Sequence, residues 1–505
     1  MTLSLTLSIF YAFSVIFALF GALYLYAQWN YGYWKRKNLP YLKPKFPYGS
    51  FVFGNKSKHI STYLLEDYEK HKSQKCLGGF MFFTPIVMIF DVDLAKTVMG
   101  KDFQYFRDRG AYVNTRDDPL SGHLFNLEGD KWKIMREKLT AVFTSGKMKY
   151  MMPNIVKIGE ELVKAMTQEA KIDATMDVKE YFARYTTDVI GTCAFGIECN
   201  SFTNPEAQFR QIGRKVLKIS PFKQMFTFKY KKLSRALRLQ LFAKDVTEFF
   251  VSAVQETVRY REANNVQRND FLDLMIKLRN KEKSDDPKDE EMPGFSLAEI
   301  VAQSFVFFLA GFETSSTNMS FTCFELAMNP EIQEKARKHV QEVLQKHNNE
   351  FTYEAMQEMN YLEACINESL RKYPPAPFGF RKCSKDYKVP DSNFEIKKGM
   401  TIFLPFNAYH MDPDVFEEPE KFIPERFLQG EDGALKTPYG WMPFADGPRI
   451  CIGMRFGMMQ SKIGLASLLM NFKFRVSKKT EIPLKLNMNT GILQPLDLFL
   501  DVEKL

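Results

Sequence analysis

No two cysteines in this chain are close enough to form a motif. Cys76, Cys193, Cys199, Cys323, Cys365, Cys383 and Cys451 are scattered through 505 residues, odd in number and without C-x-x-C spacing. That excludes a disulfide framework and a zinc ribbon, and it reads as reduced, intracellular thiols. No G-x-G-x-x-G occurs, so no nucleotide-binding loop is legible. No zinc-finger, helix-turn-helix or RNA-binding signature accompanies the net charge of +9. Nucleic acid is therefore the weakest partner reading, behind anionic lipid and an acidic protein. No internal repeat is evident. The composition, 45% hydrophobic and 14% aromatic, excludes a disordered chain.

The first charged residue is Lys35. From Leu3 to Ala27 the chain is almost wholly apolar, long enough to cross a bilayer as a helix. Tyr24, Tyr26, Trp29, Tyr31, Tyr33 and Trp34 cluster at its end, as at a membrane interface, and Lys35, Arg36 and Lys37 follow. With no basic residue before the span, the rest of the chain is expected in the cytosol. A cleaved signal peptide is the alternative, disfavoured by the length of the run and by a basic cluster that follows it. Pro40, Pro44 and Pro47 predict a stiff connector. The expected organisation is a transmembrane anchor over 1–28, a basic, proline-rich linker over 29–50 and a catalytic domain over 51–505.

Short apolar runs at Gly78–Phe83 and Ile86–Phe90 predict strands, and helical patterns dominate from Lys131 onward. The charged stretch 279–291 predicts a solvated loop. Ser296 and Glu299 then form a capping box for a helix running unbroken from Leu297 to about Met328. At 1.5 Å per residue it spans roughly 45–50 Å. Gln303 and Ser304 inside its apolar part favour a buried core helix over a second membrane span. The fold expected is mainly α with small β-sheets, preceded by one N-terminal transmembrane helix.

The stretch Phe444-Ala445-Asp446-Gly447-Pro448-Arg449-Ile450-Cys451-Ile452-Gly453 carries the most chemistry. Gly447 and Pro448 bend the backbone before the cysteine, and Gly453 permits close approach after it. The helix expected after it places Cys451 near an N-terminus, which favours negative charge. The pattern resembles the haem-ligand signature of the cytochrome P-450 family, Phe-x-x-Gly-x-Arg-x-Cys-x-Gly, with every specified position filled. The likeness extends from the anchor to Leu505. It implies the cytochrome P-450 fold and haem b (iron protoporphyrin IX) with Cys451 as axial thiolate and metal ligand.

The remaining assignments follow from that resemblance. Ala310-Gly311-Phe312-Glu313-Thr314-Ser315 is similar to the oxygen-activating segment, with Thr314 holding iron-bound oxygen and Glu313 feeding a proton relay. Ala310 and Gly311 would thin the helix wall to leave room for a flat cofactor. Glu368 and Arg371 resemble the Glu-x-x-Arg element, with Arg426 as the third member of a buried structural triad bracing the cysteine loop. The same spacing at Glu256/Arg259 and Glu334/Arg337 reads as exposed ion pairs. Trp132, Arg136, Arg381 and Arg449 are the implied propionate partners, with Phe444 and Gly453 shaping the cofactor site. Phe305, Phe308, Ala310, Pro377, Phe378 and Ile492 are candidate substrate-pocket walls. His410 reads as a hydrogen-bonded turn residue rather than a metal ligand.

Lys131, Lys133, Lys138, Lys147, Lys149 and Arg455 read by default as a solvated helix face, or, if they ring the cysteine side of the haem, as a docking patch for an acidic electron donor; the resemblance implies NADPH–cytochrome reductase, with cytochrome b5 as a further partner. Phe222, Phe226 and Phe228, interleaved with Lys218, Lys223, Lys229 and Lys231, read equally as a bilayer-dipping segment or as core packing. Ala445 stands where many relatives have glycine, and Asp446 places a carboxylate near the sulfur, which is expected to lower the iron potential. Residues 143–149 and 310–316 are similar to insect microsomal members and vertebrate drug-oxidising relatives.

The reading is a monooxygenase of the endoplasmic reticulum membrane, its catalytic domain cytosolic. It would insert one atom of O2 into an apolar small molecule, a xenobiotic or an endogenous lipophile, with NADPH-derived electrons. A haem-thiolate isomerase or dehydratase that does not use O2, and a non-catalytic lipophile-binding membrane protein, are the alternatives.

Overall fold

The computed structural model describes residues 2–50, 58–216, 220–268, 270–281, 294–430, 433–488 and 490–505. Its spine is the helix Leu297–Met328. The capping box closes as expected: the Glu299 N–H donates to Ser296 Oγ at 3.2 Å, and the Ser296 N–H donates to Glu299 Oε2 at 2.8 Å. Asn329 ends the helix, and Pro330 opens the next one. Most of its side chains are buried, Gln303 and Ser304 among them, because other helices surround it. Val178–Ile190, Asn360–Lys372 and Met454–Leu469 pack directly on it. Part of the predicted loop over 279–291 is helical. Residues 279–281 finish the helix Phe271–Lys281, and 282–293 lie outside the described residues.

Strands are confined to small sheets. The largest runs in the order Cys76–Met81, Thr84–Ile89, Thr401–Leu404, Gly379–Lys382, antiparallel except for the central pair, where Val87 faces Ile402 in parallel. The first strand stops at Met81 rather than at Phe83, because Phe82 turns the hairpin with φ +51°. Phe472–Val476, Phe499–Lys504 and Thr175–Asp177 form a second, antiparallel sheet. One hydrophobic cluster fills the helical part, and another packs about the four-stranded sheet.

The N-terminal helix Thr2–Tyr31 is followed by a short turn of helix, Tyr33–Arg36. The 29 residues from Ser8 to Arg36 are long and apolar enough to be a candidate membrane span. Trp29 and Tyr26 are exposed at its end, but Trp34 departs from the interfacial reading. It is fully buried, and its Nε1–H donates to the Gly79 carbonyl at 3.0 Å. Gly78 makes this possible, since a Cβ there would lie 2.6 Å from the indole. The proline-rich segment, expected as a stiff connector, is bonded to the body. The Gly78 N–H donates to Pro40, the Leu42 N–H to Gly78 and the Ser50 N–H to Phe80, so the segment runs along the sheet edge.

Candidate functional site

The cysteine loop is held by its own backbone. The Cys451 N–H donates to the Phe444 carbonyl at 3.0 Å, and the Ala445 N–H donates to Met442 at 3.0 Å. A 3-10 turn covers Gly447–Arg449, with the Gly447 N–H donating to Asp446 Oδ1 at 2.6 Å. Gly447 has φ +69°, and a Cβ there would meet the Met99 carbonyl oxygen at 1.9 Å, so glycine is required by space as well as by conformation. Ala445 also sits in the left-handed region, at φ +60°, where a Cβ is disfavoured by about 1–2 kcal/mol. At Gly453, which caps the helix Met454–Leu469, a Cβ would meet no protein atom within 4 Å.

Cys451 keeps accessible surface although its sulfur lies deep in the molecule, as expected for a side chain on an internal cavity. Burial pushes its thiol above the usual range; the N–H groups of Gly453 and Met454 and the cations of Arg136 and Arg109 oppose that rise. Burial is the larger effect.

Four arginines from separate segments converge on this cavity. Arg136 Nη1 donates to the Ile450 carbonyl at 2.9 Å. Arg449 Nη2 donates to Leu127 at 2.9 Å and to Asp108 Oδ1 at 3.3 Å, and its guanidinium lies 4.2 Å from the Trp132 ring centroid. Arg381 Nη1 donates to the Phe380 carbonyl at 2.9 Å. Arg109, absent from the sequence-based set, donates to the Phe125 carbonyl at 3.1 Å and stacks on that ring at 3.9 Å. Burial, then repulsion from Arg381 and Arg449, drives Arg109 well below the usual arginine range. Burial lowers Arg381 to about 10; burial and then Arg381 lower Arg449 to about 9. Among the described residues Nε and Nη2 of Arg381 and Nε and Nη1 of Arg449 have no hydrogen-bond partner, though buried. Buried donors without acceptors and mutually repelling cations fit a dianionic group, and the two carboxylates of haem have that chemistry.

On the central helix, Ala310 is exposed and Thr314 half-buried although most of the helix is buried, and Thr314 Oγ1 donates to the Ala310 carbonyl at 2.5 Å. Gly311 does not thin the wall for a cofactor. A Cβ there would lie 2.4 Å from Ile190 Cδ1, so its smallness serves the neighbouring helix. Glu313 is buried, and its Oε1 accepts from Lys179 Nζ at 2.8 Å and Gln494 Nε2 at 2.7 Å. Phe305 and Phe308 are not pocket walls. Phe308 stands two residues from Ala310, on the far side of a 3.6-residue turn. It packs against Phe195, Phe209 and Phe250, and Phe305 against Phe242 and Phe250. Helical phase alone predicts that outcome.

Phe125 is 43% exposed, lies under the Arg109 guanidinium and stands 6.2 Å from the Phe380 ring. Gln303, two helical turns before Ala310 on the same face, fixes it in place. Its Oε1 accepts from the Leu124 N–H at 2.9 Å, and its Nε2 donates to Gly122. Pro377, Phe378 and Ile492 come from two segments joined by the Leu493 N–H donating to Pro375 at 3.0 Å.

Glu368, Arg371 and Arg426 meet. Arg371 grips Glu368 with two bonds of 2.8 and 2.9 Å, and Arg426 Nε reaches Glu368 Oε1 at 3.3 Å. Arg371 also donates to the carbonyls of His410, Pro419 and Lys421. The comparison pair Glu334/Arg337 is less exposed than expected, since Arg337 is buried and donates to the carbonyls of Leu469 and Phe472. His410 is buried; its Nδ1 bonds the Arg371 carbonyl at 3.1 Å, and its Nε2 accepts from the Met442 N–H at 2.9 Å. Burial, and Arg371 after it, push its pKa down to about 3.

Of the predicted basic patch, Lys131, Lys133, Lys149 and Arg455 are exposed and Lys147 half-buried. Lys138 is withdrawn from it, buried with its Nζ donating to the Gly294 carbonyl at 2.6 Å. A cleft of about 460 Å3 opens among Trp132, Lys133, Arg136 and Pro448. Lys218 lies outside the described residues.

A protein-family model described as cytochrome P450, written P-450 here, matches residues 40–500. The chain is 44% identical to probable cytochrome P-450 6a14 of Drosophila melanogaster, over 94% of this chain and 96% of that protein. It is 42% identical to cytochrome P-450 6a2 of the same species, over 95% and 97% of the two chains. Cytochrome P-450 6A1 of Musca domestica is 41% identical, over 98% and 97%. With the family model covering most of its length and relatives aligned nearly end to end, the chain belongs to the cytochrome P-450 family.

Proposed function

We propose that the chain is a haem-thiolate monooxygenase that inserts one atom of O2 into an apolar small molecule. Electrons would come from NADPH through a separate reductase. The observation that carries this is the convergence of Arg109, Arg136, Arg381 and Arg449 on the cavity of Cys451, with buried donors left without acceptors among the described residues. Haem b, when bound, would supply the oxygen and electron-transfer chemistry; Arg109, Arg136, Arg381 and Arg449 would hold its carboxylates and Cys451 would ligate its iron.

The chain's own residues supply position and protons. Trp132 holds Arg449 in place by stacking, and the Phe444 carbonyl fixes the Cys451 backbone. Gly453 leaves the cofactor side of the loop free of a Cβ. Thr314 presents its hydroxyl to the cavity from the helix wall. Glu313 is held by Lys179, whose side chain is 23% exposed, so a proton can pass from solvent to the buried carboxylate. Ala310, Phe125, Pro377, Phe378 and Ile492 are the proposed substrate walls. Lys131, Lys133, Lys147, Lys149 and Arg455 are the proposed docking face for the reductase and cytochrome b5.

The proposed division is an anchor over 1–28, a linker over 29–50 and a catalytic domain over 51–505, in the endoplasmic reticulum membrane and facing the cytosol. The test is the carbon-monoxide difference spectrum of the reduced full-length protein. A red-shifted Soret band typical of thiolate ligation is expected, and it should vanish in Cys451→Ala. Absence of that band in the parent protein, or its survival in the variant, would falsify the reading. Consumption of NADPH and O2 in the presence of reductase separates monooxygenation from rearrangement.

A further inference from the structure

We propose that the groove between the helix Pro221–Lys229 and the four-stranded sheet binds the phosphate of an anionic phospholipid. The groove has a volume of about 430 Å3, with Lys229, Lys231 and Lys232 on one side and Lys382 on the other. One counter-charge is present among the described residues: Glu128, 3.2 Å from Lys231. Lys229, Lys232 and Lys382 have no ion pair among those residues, which leaves three uncompensated ammonium groups around one space. Burial and then Lys382 hold Lys229 below the usual lysine range. Lys231 is lowered too, by burial, with Glu128 opposing. Such crowding destabilises the protein by itself and is relieved by an anion with several acceptor oxygens. Met81, Ile86 and Phe228 give the same groove an apolar wall, so it suits an amphiphile rather than a bare ion.

Location selects the source of that anion. Met81 and Thr84, which line the groove, flank the turn Phe82–Phe83. The Phe83 ring lies 6.3 Å from Tyr26 and 6.1 Å from Tyr31 on the apolar N-terminal helix. Phe82 meets Phe222, which is 61% exposed, at 6.1 Å. The groove therefore opens beside the point where the candidate membrane span joins the body, at the depth of lipid headgroups. Anionic lipids there attract basic residues by about 1 kcal/mol each. The proposal rests on the membrane-anchored reading, and the experiment separates the two.

Full-length, haem-loaded protein in non-ionic detergent is titrated with short-chain phosphatidylserine, with phosphatidylcholine of equal chain length and with inorganic phosphate. Native mass spectrometry counts bound lipid, and calorimetry gives the affinity. One phosphatidylserine per chain is expected, with phosphatidylcholine and phosphate each at least about tenfold weaker. The triple variant Lys229→Gln, Lys232→Gln, Lys382→Gln should lose about tenfold or more in affinity for phosphatidylserine. Lys157→Gln, Lys164→Gln, Lys171→Gln, which removes equal charge from a distant helix and the turn after it, should lose none. Unchanged thermal midpoints and carbon-monoxide spectra establish that both variants are folded. Equal binding of phosphatidylcholine, equal binding of phosphate, or equal loss in both triple variants overturns the site. Extraction of the parent protein from membranes by alkaline carbonate overturns the anchor instead, whatever the headgroup result.

Discussion

His410 joins Arg371 to Met442: one ring nitrogen bonds the Arg371 carbonyl at 3.1 Å and the other accepts the Met442 N–H at 2.9 Å. Met442 in turn accepts the Ala445 N–H, so the Glu368–Arg371–Arg426 triad is tied to the cysteine loop through one neutral imidazole.

That imidazole makes the fold acid-sensitive. Its folded pKa of about 3 lies below the unfolded value of about 6.5, so the unfolded chain binds more protons between them. Stability is full above about pH 6.5 and falls with acid by about 1.4 kcal/mol per pH unit per such group. His123, also held near 3 by burial, adds to the slope. Urea unfolding at pH 7, 6 and 5 measures it. His410→Gln should flatten the slope by one group's share and lower stability at pH 7 by about 1–3 kcal/mol. An unchanged slope would refute the assignment.

Glu368→Gln should destabilise the protein by about 3–5 kcal/mol, because two arginines lose their shared buried anion. Glu334→Gln, where the acid is 49% exposed, should cost no more than about 1 kcal/mol. Thermal unfolding and the rate of haem loss report both. Equal effects would show that spacing, not burial, governs these pairs.

At Ala445, replacement by glycine should stabilise. Relief of the φ +60° strain gains about 1–2 kcal/mol, of which the added freedom of the unfolded chain removes about 0.4–1. A rise in thermal midpoint is expected, and a fall would mean that the methyl group's packing dominates.

Asp446→Asn keeps a side-chain oxygen for the Gly447 N–H while removing a negative charge from the cysteine loop. A more positive iron potential and faster first-electron transfer are expected, measured by potentiometric titration and stopped-flow reduction. No change in either sinks the idea.

Local grammar made much of this legible in advance. The Ser296/Glu299 box and the Asn329-Pro330 stop act over a few residues, and they lie where their chemistry requires. What escaped is set by distant neighbours. Arg109 belongs to no motif and joins the other arginines only through folding. Gly311 looked like room for a cofactor because nothing in its own helix reveals Ile190. Trp34 sits among aromatic residues of interfacial type, yet Gly78 offered it a buried slot. Phe305 and Phe308 were readable, since helical phase puts both opposite Ala310.

The indole of Trp34, keyed against Gly78, removes the swivel between the apolar helix and the body. On the proposed membrane-anchored reading, both would turn about the bilayer normal as one rotor. A partner held in the same bilayer would then meet this surface in one attitude.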